Sequence, residues 1–553
     1  MNGLEAPWEE LVTTALLGTE RRAAPAAAGA DDQAAALLDL AAVGTVRRRA
    51  GLRPAEAQAL PEQAPRDPRP PLPTAARRRL ALLLSDRTGA GSGGSRGSAP
   101  NLGELLPQWL HAARGHGYRA PAALLPALLD AARGRSDLRR DALALAGPRG
   151  LWLAGLNPDW KFALRAGPAA VASPEGGGGE NSGDAERRLW EEGLFAERVG
   201  LIARLRARDA RAALNLLRST WADERAEDRL LFLDSLREGL DPDDEPFLEE
   251  ALADRSKNVR ATAAELLSCL PGSALAARMA ARARACVALE PVGGGHRIVV
   301  EAPYECDAEM QRDGIAPKPP TGRGERAWWL GQLVEASPLS LWTERFSRSP
   351  EEIVALAVTD DWRGDLHAAW SRAAVRQRDA LWARALLGAP PRGHDPQGKG
   401  PATEAASGVG AFVVGPVGTA GDPAKLLSVL PHGERALWVA RFIGAHGLSE
   451  AFQLLGVCAV PWSEPLGRAV VDALDIAREA GNYPWSFSGV MGLAERCLDP
   501  AQADRVDALT AIPETDGAPG AGNYWSEVFQ RLASTLRIRA AMLAELEAGP
   551  GER

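Results

Sequence analysis

Cysteine is scarce and unpatterned. The five thiols, Cys269, Cys286, Cys306, Cys458 and Cys497, are odd in number and form no C-x-x-C pair, which argues for reduced thiols rather than a disulfide framework. Histidine is as thin: seven isolated residues with no H-E-x-x-H spell out no zinc site. No stretch reaches the ~18 apolar residues of a membrane span. The opening MNGLEAPWEE lacks the basic and apolar regions of a signal peptide. A soluble, cytoplasmic chain without membrane contact is the expectation. Lysine is rare beside arginine, and net charge is −8, which speaks against a general nucleic-acid binder. Phe and Tyr number only 10 and 4 against 16 Trp, so aromatic packing falls to tryptophan.

What is present is an ordinary globular balance, 46% hydrophobic and 25% charged, on 553 residues: enough for three or four domains or one long solenoid. The excess of Arg, Ala, Gly and Pro is the signature of a GC-rich bacterial genome. Helical periodicity dominates. The clearest stretch is 246–279. Phe247, Leu248, Ala251 and Leu252 share one helix face; Val259, Ala263, Leu266, Leu267 and Leu270 share the next. A polar corner, 254–258, separates them, and Pro271-Gly272 ends the pair. Such a hairpin cannot bury its apolar face alone and must stack on others.

Asp254 in the corner and the Val259-Arg260 pair resemble a HEAT repeat. The resemblance implies a core role for Val259 and a polar ladder between repeats for Asp254 and Arg260. A weaker copy begins at Asp209, about 45 residues earlier, within the ~40–47-residue period of such units. LVTTALLGTERR (11–22), RDGI (312–315) and GERAWWL (324–330) further resemble a large uncharacterised family of bacterial proteins with HEAT-like repeats. That resemblance implies no assigned activity. It suggests a protein partner in a MoxR-type AAA ATPase or von Willebrand A-domain system.

Helices are expected over 8–17, with Trp8, Leu11, Val12, Ala15 and Leu16 on one face, over 31–50, 74–85, 102–110, 120–133 and 138–146, and through 185–279, 325–387, 423–498 and 523–548. Ser349-Pro350-Glu351-Glu352 reads as a capping box. Trp462-Ser463, Trp485-Ser486 and Trp525-Ser526 each place a Trp before a capping Ser, as a hydrophobic staple would. Arg297 to Val300 alternates and predicts one short strand. Gly-rich stretches at 88–99, 171–183 and 388–421 predict flexible inserts. Matches there to G-x-G-x-x-G (89–94), G-x-S-x-G (93–97) and a Walker-like loop (393–400) have no strand–turn–helix setting and are discounted.

The predicted fold is therefore all-α, a HEAT-like α-solenoid of helical hairpins with Gly/Pro-rich inserts and at most one short β element. Its regions are 1–170, 185–290, 291–390, the insert 391–422, and 423–553. No catalytic, cofactor or metal residue is assigned. Candidate interaction residues are Glu20, Arg21 and Arg22 after the first helix, Arg312 and Asp313, and the pair Trp328-Trp329, whose side chains diverge by about 100° and are hard to bury against one neighbour. Acidic residues Glu301, Glu305, Asp307, Glu309 and Asp313 can supply oxygen ligands to Ca²⁺ or Mg²⁺, or simply pair with Arg312 and Arg326. The expected function is a non-enzymatic scaffold for a protein partner. The alternatives are a HEAT-like nucleic-acid or DNA-repair protein and an enzyme or metal site within 301–320.

Overall fold

The structure is a computed structural model that describes residues 8–23, 31–50, 61–85, 102–165, 182–388, 422–511 and 521–547. The inserts expected at 88–99, 171–183 and 388–421, with their glycine-rich patterns, lie almost wholly outside those residues. The described chain is all-α with one small sheet. It divides into two compact units, Met1–Pro65 and Arg66–Arg553.

In the first unit, helix Trp8–Leu17 packs on helix Gln33–Ala50. Leu11 and Leu37 are buried at their contact. Gly44 lets the Trp8 ring close in, since a Cβ there would stand 3.3 Å from it. The predicted apolar face is only partly used. Thr14 turns inward beside Leu11, while Val12 and Leu16 stay exposed, because a two-helix contact is too narrow to cover a whole stripe.

The second unit begins with hairpin-like pairs. Phe195–Arg208 packs on Ala210–Thr220 and on Ala226–Ser235; the last packs on Lys257–Leu267, as does Glu245–Ala251. Val259, Ala263, Leu266 and Leu267 are fully buried, as their spacing predicts. Each such residue contributes about 1.5–3 kcal/mol of transfer free energy if it is a large aliphatic. Beneath this stack, Arg206 has no exposed side-chain surface and pairs with Asp244 at 2.7 Å. Its remaining donors go to the carbonyls of Glu238, Ala210, Leu236 and Gly239.

The expected β element is present with partners the sequence reading did not foresee. Strand β1, Val287–Val292, continues straight from helix Ala274–Cys286. It turns through Gly293 and Gly294, both at positive φ, into β2, Gly295–Val300, pairing antiparallel. Two adjacent glycines suit a two-residue hairpin turn. Strand β3, Ala357–Val358, adds to β2 in parallel. The capping box at Ser349 forms as read: Ser349 Oγ accepts from the Glu352 amide, and Glu352 accepts from the Ser349 amide. The staples at Trp485 and Trp525 do not. The helix near Trp485 starts only at Ser488, and Trp525-Ser526 lies inside helix Ala521–Glu547.

Buried residues from Trp190 to Leu536 form one continuous cluster that does not break near 290 or 422. A second cluster runs from Leu72 to Ala146 and includes Trp109. Helix Ala521–Glu547, roughly 40 Å long, serves both: Trp525, Phe529, Leu532 and Leu536 enter the first, Met542 and Leu546 the second. Glu545 pairs with Arg79 at 2.6 Å, and the Tyr118 hydroxyl donates to the Leu546 carbonyl at 3.0 Å. The end of the unit is thus fastened to its beginning.

Candidate functional site

The residues singled out by RDGI and GERAWWL meet in one joint. Helix Ala308–Arg312 is capped by Asp307, which accepts from the Met310 amide at 2.7 Å. It closes at Gly314, φ +93°, with the Ile315 amide returning to the Met310 carbonyl. Gly314 lies against Ala264 so closely that a Cβ would stand 2.4 Å from the Ala264 Cβ. This approach sets Asp313 over helix Ala274–Cys286, where its wholly buried carboxylate accepts from Arg278 at 3.0 Å and Arg282 at 2.6 Å.

The following segment is gripped by the two tryptophans. Trp328 Nε1 donates to the Ala316 carbonyl at 2.8 Å, and Trp329 Nε1 to the Pro317 carbonyl at 2.9 Å. Gln332 Oε1 accepts from the Ala316 amide. Their divergence is resolved by two successive carbonyls, one for each indole. Asp313, Trp328 and Trp329 are therefore drawn inward, while Arg312 stays exposed. Glu20, Arg21 and Arg22 form an exposed turn in the first unit, with the Arg21 and Arg22 amides bonded to the Gly18 carbonyl.

The repeat residues divide. Asp254 reaches Arg229 on helix Ala226–Ser235 at 3.2 Å, past the intervening helix Glu245–Ala251. Arg260 instead donates to the carbonyls of Asp254 and Arg255 in its own corner. It braces the turn rather than the ladder.

The acidic run of 301–313 is largely occupied. Asp307 caps a helix, Asp313 and Glu309 meet Arg282, and Glu301 accepts from Tyr304. Among the described residues no group of three or more His, Cys, Asp or Glu is placed to hold a metal ion. Burial pushes all five thiols above their ordinary value, Cys458 to about 11, which keeps them protonated and poorly nucleophilic. His367 is buried, and burial with Arg363 nearby pulls it down to about 4. These groups bring no nucleophile and base together.

A different surface stands out. The segment 482–487 follows Gly481, φ +74°, and puts an aromatic at every second position: Tyr483, Trp485, Phe487. The 3-10 turn Pro484–Phe487 splits them. Phe487 turns in toward Trp525, while Tyr483 and Trp485 stack outside at 4.2 Å and 11°. Tyr524 meets Trp485 edge-on at 5.8 Å. Trp485 is 58% exposed and Tyr524 52%. The platform is held from beneath: buried Trp525 donates to the Asn482 carbonyl at 2.7 Å. Beside it, Asn482 and Phe487 form one wall of a cavity of about 490 Å³, whose other walls include Ile443, Ala473 and Ile476. Ile476 is 66% exposed. Platform and groove are thus two sides of one hexapeptide. The sequence signal was the cluster of aromatics at 483, 485 and 487, which a staple reading of Trp485 obscures.

A family model described as a family of unknown function (DUF5691) matches residues 10–546. No curated protein and no solved structure matches the chain.

Proposed function

The chain belongs to this family of unknown function, and from that premise we propose that it is a non-enzymatic scaffold that docks a protein partner on the Tyr483–Trp485–Tyr524 platform and its groove. The observation that carries the reading is the exposure of Trp485 packed between Tyr483 and Tyr524, on a segment anchored by a buried tryptophan. Rigid aromatics lose little conformational freedom on binding and dominate interface energetics. The partner suited to the site is a chain segment that lays a side chain over Trp485 and an apolar anchor into the groove beside Ile476. Base stacking is the competing use of such rings. It is disfavoured by the net charge of −8 and by Arg478, the cation of this loop region, which is already bound to Asp475 and to the Leu509 and Ala511 carbonyls.

The test is photocrosslinking from Trp485 replaced by a benzophenone amino acid in native cells, with capture by wild-type protein and by the Trp485→Ala/Ile476→Asp variant in parallel. A partner crosslinked at 485 and lost from the variant, with circular dichroism unchanged, supports the site. Equal capture by both forms refutes it. Nucleic acid released by rising salt transfers the platform to the stacking reading.

A further inference from the structure

A second cavity, of about 440 Å³, opens where the C-terminal helix crosses helix Leu102–Gly115. Its size falls within the roughly 300–1,000 Å³ of small-molecule sites. Its walls are mainly apolar: Trp109, Val460, Pro461, Met542 and Leu543. Among its polar residues, Arg539 lines the cavity although only 8% of it is exposed.

A buried guanidinium normally has its donors satisfied and its charge balanced. Arg206 shows how this chain does it, with a carboxylate and four carbonyls. Arg539 is unlike it. One nitrogen, Nη1, donates to the carbonyls of Glu495 and Leu498. No ion pair is made to it, and its other two nitrogens have no hydrogen-bond partner among the described residues. The other charges at the cavity are engaged. Asp141 is held by Arg114 at 3.1 Å and lies 3.4 Å from His111. Arg496, at the rim, stands 3.7 Å from Glu104. Asp499 lies near enough to favour the charged form of Arg539 without pairing with it, and the two free nitrogens of Arg539 are the donors left for a ligand.

We propose that this cavity binds a small amphipathic carboxylate, its anionic head on the free edge of Arg539 and its hydrocarbon body against Trp109, Val460, Pro461, Met542 and Leu543. A planar carboxylate fits the two unoccupied nitrogens side by side. The apolar walls reward a chain rather than a sugar or a nucleotide. The site is separate from the aromatic platform and stands or falls without it.

The experiment is calorimetric titration of the full chain with decanoate and, as an uncharged control of equal length, decan-1-ol. Saturable decanoate binding at 1:1, at least tenfold tighter than decanol, is the expected result. Arg539→Gln should abolish that discrimination. Because loss of a buried guanidinium endangers the fold, Leu543→Trp at the exposed mouth is the second variant. It should fill the cavity and weaken both probes at least tenfold while leaving the melting curve in place. Equal affinity of wild type for decanoate and decanol overturns the proposal. So does wild-type decanoate binding by a folded Leu543→Trp.

Discussion

Replacing Asp313 with alanine separates a structural carboxylate from a reactive one. Its side chain has no exposed surface and accepts from two guanidiniums, at 3.0 and 2.6 Å. Charge-assisted bonds of this kind contribute about 1.5–3 kcal/mol each, and breaking a buried pair costs about 3–5 kcal/mol. Two features lower the figure. Arg278 keeps Glu249 at 3.1 Å, and Arg282 keeps Glu309 at 3.5 Å. Both guanidiniums are also partly open to water, at 32% and 20%. The expected cost is about 3 kcal/mol, at the low end of that range. Asp307→Ala, six residues earlier, removes only an N-cap and should cost about 1 kcal/mol. Asp313→Asn should fall between them. Hydrogen exchange of peptides spanning 308–332, with urea unfolding followed by tryptophan fluorescence, reads all three. An Asp313→Ala cost no greater than that of Asp307→Ala would refute the reasoning and leave Asp313 free for ligand chemistry.

Other outcomes follow from the same packing. Asp244→Ala strands the buried Arg206 charge and should cost about 3–5 kcal/mol, measured by denaturation, whereas Arg206→Met with Asp244→Leu should recover much of that loss. Gly314→Ala must fit a Cβ 2.4 Å from that of Ala264 at φ +93°; in urea unfolding it should destabilise the chain by more than the ~1 kcal/mol of an ordinary glycine effect. His367 is held neutral, with its pKa down from 6.5 to about 4. The unfolded chain therefore takes up the proton first, so this contribution is intact above pH 6.5 and is lost as pH falls toward 4. By pH 5 the loss should be about 2 kcal/mol relative to pH 7. His367→Leu should flatten that part of the profile, and an unchanged pH slope would refute the assignment.

How much was legible depended on whether a role is local. The 246–279 hairpin could be read because apolar spacing at 3.6 residues must be buried somewhere, and Val259, Leu266 and Leu267 are. The capping box at Ser349 could be read because all its partners lie within four residues. RDGI and GERAWWL were read as candidate interaction residues, and Asp313, Trp328 and Trp329 among them are drawn inward. Nothing local says that the Ala316 and Pro317 carbonyls wait for two indoles, or that Arg278 and Arg282 lie over Asp313. The β1–β2 hairpin did carry a signal, Gly293-Gly294 between extended runs. The parallel partner Ala357–Val358, some 60 residues on from β2, carried none.

The sequence by itself determined the helical class, the position of most helices and which of their faces must be covered, since these follow from periodicity and capping along the chain. The tertiary structure alone decided which polar groups are satisfied and which are left open. Trp525 goes under and Trp485 stays out because of what lies beneath segment 482–487, not because of their neighbours in sequence. Arg206 is saturated and Arg539 is not because one meets Asp244 and the other faces a cavity that forms only when residues 102–115 and 521–547 cross. Satisfaction of a charge is a property of three-dimensional surroundings, and distant segments supply them.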